Sequence, residues 1–288
     1  MSKYVIFTDS ACDIEPHLLQ EWGCSFLPLT FRFDDYNQEF EDGGLNPRDF
    51  YAKMRSGSVA KTAAVNSERF AEAFEELLKD GTDILYLGFS TGLSNTFNAA
   101  RIAAEQLRGQ YPDRKILTVD SLSASAGFGL LLYLTVQKKN EGASIEEAAA
   151  YAEATKLHLV HWFTVDDLVY LKRGGRISPM AAFVGNALGI KPVLHVDNEG
   201  HLINMFKVRG RRSSVLALAD KYGELAITPG EGPVFICHGD CDSDVEELKR
   251  TLKERYGAEV TLVTYTGTVI GAHSGPGTLA LFFLGKER

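Results

Sequence analysis

Short apolar runs alternate with amphipathic stretches along the first half of the chain. Tyr4–Phe7 is a run of strand formers that ends in the polar cluster Thr8-Asp9-Ser10. Pro16 suits the first turn of a helix reaching about Trp22, and Gly23 suits its stop. Phe26–Phe33 reads as a second strand and Pro47–Arg55 as a short helix. In Ser67–Leu78 the residues Phe70, Phe74, Leu77 and Leu78 form one apolar stripe of a helix. The strand Ile84–Phe89 runs into Ser90-Thr-Gly-Leu-Ser-Asn-Thr96 and a helix to about Leu107. A strand at Ile116–Val119 ends in Asp120-Ser121 and precedes helices over Ser123–Lys139 and Ile145–Leu157. This alternation predicts a mostly parallel sheet covered on both faces, with polar clusters at the carboxyl ends of its strands, where such sheets bind ligands.

The second half is more mixed. Strands are expected at Leu159–Val165, Val193–Val196, Val234–His238 and Val260–Thr266. Asp197-Asn-Glu-Gly200 is a turn signal that returns Leu202–Val208 as a hairpin partner. Helices are expected at Ser178–Leu188, Ser213–Tyr222 and Asp242–Tyr256. The pattern gives an α/β chain of two domains: an N-terminal, mostly parallel α/β domain over 1–158 and a C-terminal α+β domain over 159–288. The segment Gly277–Gly285 is expected to pack back on the first domain.

Composition narrows the classes. Of 288 residues, 45% are hydrophobic and 24% charged, which excludes a disordered chain. Four cysteines without a CxxC are too sparse for a disulfide framework and read as reduced. The start of the chain has no signal-peptide pattern, and the long uncharged stretches Ser121–Gln137 and Val260–Gly285 are too polar or too broken by glycine to span a membrane. A cytoplasmic protein with no integral membrane segment is expected. The net charge of −8 argues against a general nucleic-acid binder. Charge is nevertheless uneven. Between 172 and 212 stand Lys172, Arg173, Arg176, Lys191, Lys207, Arg209, Arg211 and Arg212 against Asp197 and Glu199, a local +6 that leaves −14 elsewhere. Such a cluster suits an anionic partner or substrate.

Candidate chemistry centres on a few residues. Ser94, at a strand-to-helix junction, is a natural N-cap, a role Asn95 can share, and an unpaired helix start suits an anion. His273 lies in Gly271-Ala-His-Ser-Gly-Pro-Gly277, a glycine-rich loop that lets backbone approach a ligand, and would bind a carboxylate more strongly when protonated. A sharper alternative makes Ser94 the nucleophile of a serine hydrolase, with His273 as base and Asp120 or Asp9 as orienter. The string Gly92-Leu-Ser94-Asn-Thr96 lacks the second glycine of a nucleophile elbow. Thr62 alone is weak evidence, and His158 and His161, three apart and able to share a helix face, do not by themselves make a metal site.

Taken together in order, several of these strings resemble the DegV family, whose characterised members are the fatty-acid-binding subunits of bacterial fatty acid kinase. The resemblance rests on Thr8-Asp9-Ser10, Lys61-Thr62, Ser90–Thr96, Asp120-Ser121, Leu171-Lys-Arg-Gly-Gly-Arg-Ile177, Ile190-Lys-Pro-Val-Leu194, Lys207-Val-Arg-Gly210 and His273-Ser-Gly-Pro-Gly277. It implies a fatty acid such as palmitate or oleate in a tunnel between the two domains, with no cofactor and no catalytic residue. It places the carboxylate on Thr62 and Ser94 with His273 nearby, supported by Asn95, Asp9 and Ser10. It implies a separate fatty acid kinase catalytic subunit as partner, docking where Arg173 and Arg209 lie. The chain departs from the usual Lys-Thr-Ser-Gln-Pro at Lys61-Thr-Ala-Ala-Val65, which thins the polar network of the head group. Asn95 replaces a frequent glycine.

Overall fold

The computed structural model describes residues 3–178 and 189–288, so the helix expected over 178–188 lies almost wholly outside the described residues. In chain order the strands are β1 (Tyr4–Asp9), β2 (Cys24–Leu27), β3 (Thr30–Phe33), β4 (Glu39–Glu41), β5 (Ala60–Ala63), β6 (Asp83–Gly88) and β7 (Ile116–Asp120), followed by β8 (Leu159–Thr164), β9 (Ile190–Val196), β10 (Leu202–Arg209), β11 (Phe235–His238), β12 (Leu262–Tyr265) and β13 (Leu279–Leu284). The helices are α1 (Pro16–Glu21), α2 (Pro47–Arg55), α3 (Ser67–Lys79), α4 (Thr96–Gln110), α5 (Ser125–Asn140), α6 (Ile145–Thr155), α7 (Val169–Arg173), α8 (Arg211–Leu225), α9 (Asp242–Tyr256) and α10 (Thr268–Ser274).

A parallel sheet of order β2-β1-β6-β7 forms the first layer. Its central strand β6 is buried along its whole length, which explains an apolar run without alternation. A mixed sheet of order β10-β9-β8-β13-β11-β12 forms the second. Helix α5 packs against β8, β11 and β13 and against the turn after β1, so it lies between the two layers. That position accounts for its sequence: apolar residues surround it, and Phe128, Leu130, Leu131 and Leu132 are all fully buried. Helices α8 and α9 pack on the second sheet within a separate core that includes Val215, Leu218, Leu248 and Leu252.

The pleat of the second sheet sorts its side chains between the two cores. On β13, Ala280 and Phe282 join the large core shared with the first sheet, whereas Leu279, Leu281 and Phe283 join the core under α8 and α9. The C-terminal segment is thus an inner strand of the second sheet, paired with β8 and β11, that turns one face toward the first layer. The span Phe26–Phe33 also differs from expectation. It is two strands, β2 in the parallel sheet and β3 in a small antiparallel sheet of order β4-β3-β5. Pro28 falls at the break between them, where its missing N–H cannot serve a ladder.

Candidate functional site

A cavity of about 270 Å³ opens between the layers, lined chiefly by apolar side chains such as Leu29, Phe89, Leu93, Phe163, Val269 and Phe282. The described residues bring Thr62, Ser94, Asn95 and His273 to its wall, from β5, the junction before α4 and α10. Arg176 joins them there. In the sequence Arg176 stands as one charge of the basic run and as part of the Leu171–Ile177 string, with no site role. The available signal was its place after two glycines, which lets the chain turn back beneath α7.

His273 stands in the last turn of α10 and not in a loop. Its Nε2 shares a hydrogen bond of 2.9 Å with Thr62 Oγ1 on β5. Gly174 presses on the other side of the ring, where a Cβ would collide with His273 Nδ1. A side chain at 174 would therefore displace the imidazole. Burial, assisted by the Arg176 charge, holds the His273 pKa down at about 4. The ring is therefore neutral near pH 7, without the stronger carboxylate binding that protonation would give. The cation at this end of the cavity is Arg176, whose Nε donates to the Leu93 carbonyl at 3.1 Å. Burial lowers its pKa from the ordinary guanidinium value. It also donates to the Gly174 carbonyl, which ties α7, the 90–94 loop and the cavity mouth together.

Ser94 is one residue further from the helix than expected. Asn95 holds the N-cap position of α4 without a side-chain bond to the helix backbone. Ser94 Oγ accepts from the Thr96 amide at 3.2 Å and shares a 2.9 Å bond with Thr96 Oγ1. Gly92 has a packing reason: a Cβ there would lie 2.9 Å from the carbonyls of Glu199 and Gly200, so the β9–β10 turn needs a bare backbone to rest on.

The hydrolase arrangement does not form. Ser94 Oγ pairs with Thr96, and His273 with Thr62. Asp120 accepts from Thr91 Oγ1 at 2.6 Å and from the Leu122 amide at 3.0 Å. Asp9 is fully buried and accepts from the Ala11 amide, the Tyr86 hydroxyl and the Phe89 amide. Ser10 Oγ accepts from the Leu29 amide. Asp9 therefore fastens the end of β1 to β6 and the residue after it, Ser10 ties the end of β1 to the β2–β3 link, and neither lines the cavity. His158 and His161 also part. His158 contacts the Gly285 carbonyl, whereas His161 sits on β8 and faces the cavity.

The basic run divides as well. Lys191 pairs with Asp166, Arg211 with Asp244 and Arg212 with Glu247. These carboxylates lie outside the 172–212 window, so the run carries less free charge than its count suggests. Arg173 and Arg209 are exposed and make no ion pair among the described residues. Arg173 lies over the Tyr170 ring, 5.6 Å from its centre. Among the described residues, no helix is long and apolar enough to cross a membrane.

Comparison with known proteins gives a consistent picture. The family model described as an uncharacterised protein of the DegV family matches residues 3–286. A DegV domain-containing protein of Clostridium perfringens is 45% identical over 291 residues, covering 100% of this chain and 99% of that one. A DegV lipid-binding protein of Thermotoga maritima has a crystal structure similar to this fold, with TM-score 0.85 and 30% identity over 99% of both chains. A DegV family protein of Thermus thermophilus, described by its fatty acid binding, gives TM-score 0.86 and 27% identity over 98% of this chain and 99% of that one.

Proposed function

The chain belongs to the DegV family, and from that premise we propose that it binds one long-chain fatty acid, such as palmitate or oleate, in the cavity between its two layers. The observation that carries this reading is the cavity itself, an apolar enclosure with Thr62, Ser94, His273 and Arg176 on its wall. Burying a chain of about sixteen carbons supplies on the order of 10 kcal/mol before association costs, at about 0.8 kcal/mol per CH₂. The polar residues then need only orient a carboxylate and satisfy its oxygens. Thr62 and Ser94 offer hydroxyl donors, the neutral His273 holds Thr62 in place, and Arg176 adds a charge-assisted donor. Asn95, exposed at the start of α4, supports the same end.

The finer reading has the protein present its carboxylate to a separate fatty acid kinase, which makes the acyl phosphate. It is not itself the catalyst. The exposure of Arg173 and Arg209, unpaired among the described residues, supports a docking role for them. We divide the chain for this purpose into domains 1–158 and 159–288, with the ligand between. Mass spectrometry of the protein purified and then denatured tests the binding step. A long-chain fatty acid released at one per chain is expected. The absence of lipid, with no uptake of added oleate, would overturn the proposal. Kinase coupling is tested separately by acyl-phosphate formation.

A further inference from the structure

The 90–94 loop that carries Ser94 rests on two supports. One is the turn after β7. Asp120 there accepts from Thr91 Oγ1 and from the Leu122 amide, and the Ser123 carbonyl accepts from the Ser90 amide at 3.1 Å. The other is the β9–β10 turn, whose Gly200 carbonyl accepts from Ser90 Oγ at 3.0 Å. The supports also touch each other: a Cβ at Gly200 would lie 3.1 Å from Leu122 Cα and closer still to Ser90 Oγ. The loop passes this anchorage on to the polar end of the cavity. The Ser90 carbonyl accepts from the amides of Leu93 at 3.1 Å and Ser94 at 3.0 Å, and the Leu93 carbonyl accepts from Arg176.

Arg288 joins both supports. Its Nη1 donates to the Leu122 carbonyl at 2.6 Å and to the Asp197 carbonyl at 3.0 Å. Its Nε donates to the Leu159 carbonyl at 3.1 Å, and its Nη2 donates to the Lys156 carbonyl. Burial lowers its pKa to about 10, against the pull of Asp197 and Asp120, so the guanidinium stays charged near pH 7 and each bond is charge-assisted. Leu122 shows what the clamp holds. Its φ of 49° is left-handed, a conformation that costs a leucine and persists only where its surroundings fix it. Asp120 takes its amide and Arg288 takes its carbonyl.

We propose that Arg288 is a positioning residue for the ligand carboxylate: it locks the two turns together and, through the 90–94 loop, sets Ser94 and Arg176. This deepens the fatty-acid reading and rests on it. Arg288 itself does not line the cavity. Without it, Leu122 is free to relax to an ordinary backbone conformation, and Ser90 loses the fixed surface to which it is tied. Hydrogen bonds weaken steeply with misalignment, so a carboxylate suffers from a shifted Ser94 and Arg176. The alkyl tail is held by apolar burial, which has no direction, and does not suffer.

The test measures oleate and oleyl alcohol side by side, by displacement of a fluorescent fatty acid from delipidated full-length protein. The two ligands share a tail and differ in the charge of the head group. Arg288→Gln should lower the preference for oleate over the alcohol about fivefold, the worth of about one net hydrogen bond. The carboxyl signal of bound oleate labelled with carbon-13 at C1 should shift or broaden in the same variant. Leu252→Ala, in the separate core under α8 and α9, destabilises the fold without touching either support and should leave both readouts as in wild type. If Arg288→Gln does not fold, Arg288→Lys, which keeps the charge and loses the planar fork, decides by the same ratio. An unchanged preference, with both ligands weakened alike or neither weakened, overturns the inference and leaves the fatty-acid reading standing. Failure of wild type to bind either ligand overturns both.

Discussion

Asp9 and His273 are both buried polar residues from motif-like strings, yet their surroundings differ. Asp9 closes the crevice between β1 and β6, and three protein donors meet its two oxygens. His273 has one side-chain partner, Thr62, and borders the cavity. In a sheet of order β2-β1-β6-β7 the strand order reverses between β1 and β6, the usual place for a ligand. Here that place is filled by protein groups, and the open space lies farther out, between the layers. A polar residue whose partners are all protein holds a fold together; one facing empty space is free to meet a ligand.

The strongest way to break this comparison is Asp9→Ala. It leaves the Tyr86 hydroxyl and two backbone amides without an acceptor in a dry site. Denaturant unfolding should show a loss of about 3–5 kcal/mol. A loss below about 1 kcal/mol would mean that Asp9 is not structural.

Acid dependence should separate the two residues next. Burial raises the Asp9 pKa to about 6, whereas burial and Arg176 lower that of His273 to about 4. Between about pH 4 and 6 the native state holds a proton on Asp9 that the unfolded chain releases, so the Asp9 contribution falls as pH rises. Over pH 4 to 6.5 the unfolded chain protonates His273 and the native state does not, so that contribution falls as pH drops. Each amounts to roughly 3 kcal/mol across its window. In lipid-free protein, Asp9→Asn should steepen the rise in stability from pH 4 to 6, and His273→Gln should flatten or reverse it. Identical profiles for the two variants would sink the assignment.

Ligand affinity gives the third contrast. Arg176→Ala should weaken displacement of a fluorescent fatty acid about 10- to 100-fold, the range of a charge-assisted bond. Thr62→Val should weaken it about fivefold. The Asp9 variants, where folded, should differ little from wild type in this assay. Ser94→Ala should cost a few-fold in affinity, and a fluorophosphonate probe should leave Ser94 unlabelled; stoichiometric labelling would restore the hydrolase reading.

The smallest change in lipid affinity is expected from reversing Arg173 and Arg209 to Glu, less than about twofold, because neither lines the cavity and exposed charges are screened within about 8 Å at physiological salt. The same double variant should slow acyl-phosphate formation by a cognate kinase, less so as salt rises. Loss of fatty acid with intact coupling would move these arginines into the pocket.

Local pattern by itself determined most elements. The stripe Phe70, Phe74, Leu78 fixed α3, the run Ile84–Leu87 fixed the buried strand β6, and Asp197–Gly200 fixed the β9–β10 hairpin, because periodicity and turn chemistry act over a few residues. Ordered motifs also pointed to the family and to Thr62, Ser94 and His273. Tertiary structure decided the rest. It split Phe26–Phe33 between two sheets, made the His273 segment a helix, and placed Asp9, Ser10 and Asp120 off the cavity wall. It also turned His161 and Ser274 to the cavity and brought Arg176 beside His273. Apart from the break at Pro28, these outcomes depend on residues distant in sequence. Whether a buried polar atom meets a protein partner or an empty space is set by residues far away in the chain, 211 positions for Thr62 and His273. Only the packed layers fix that distance.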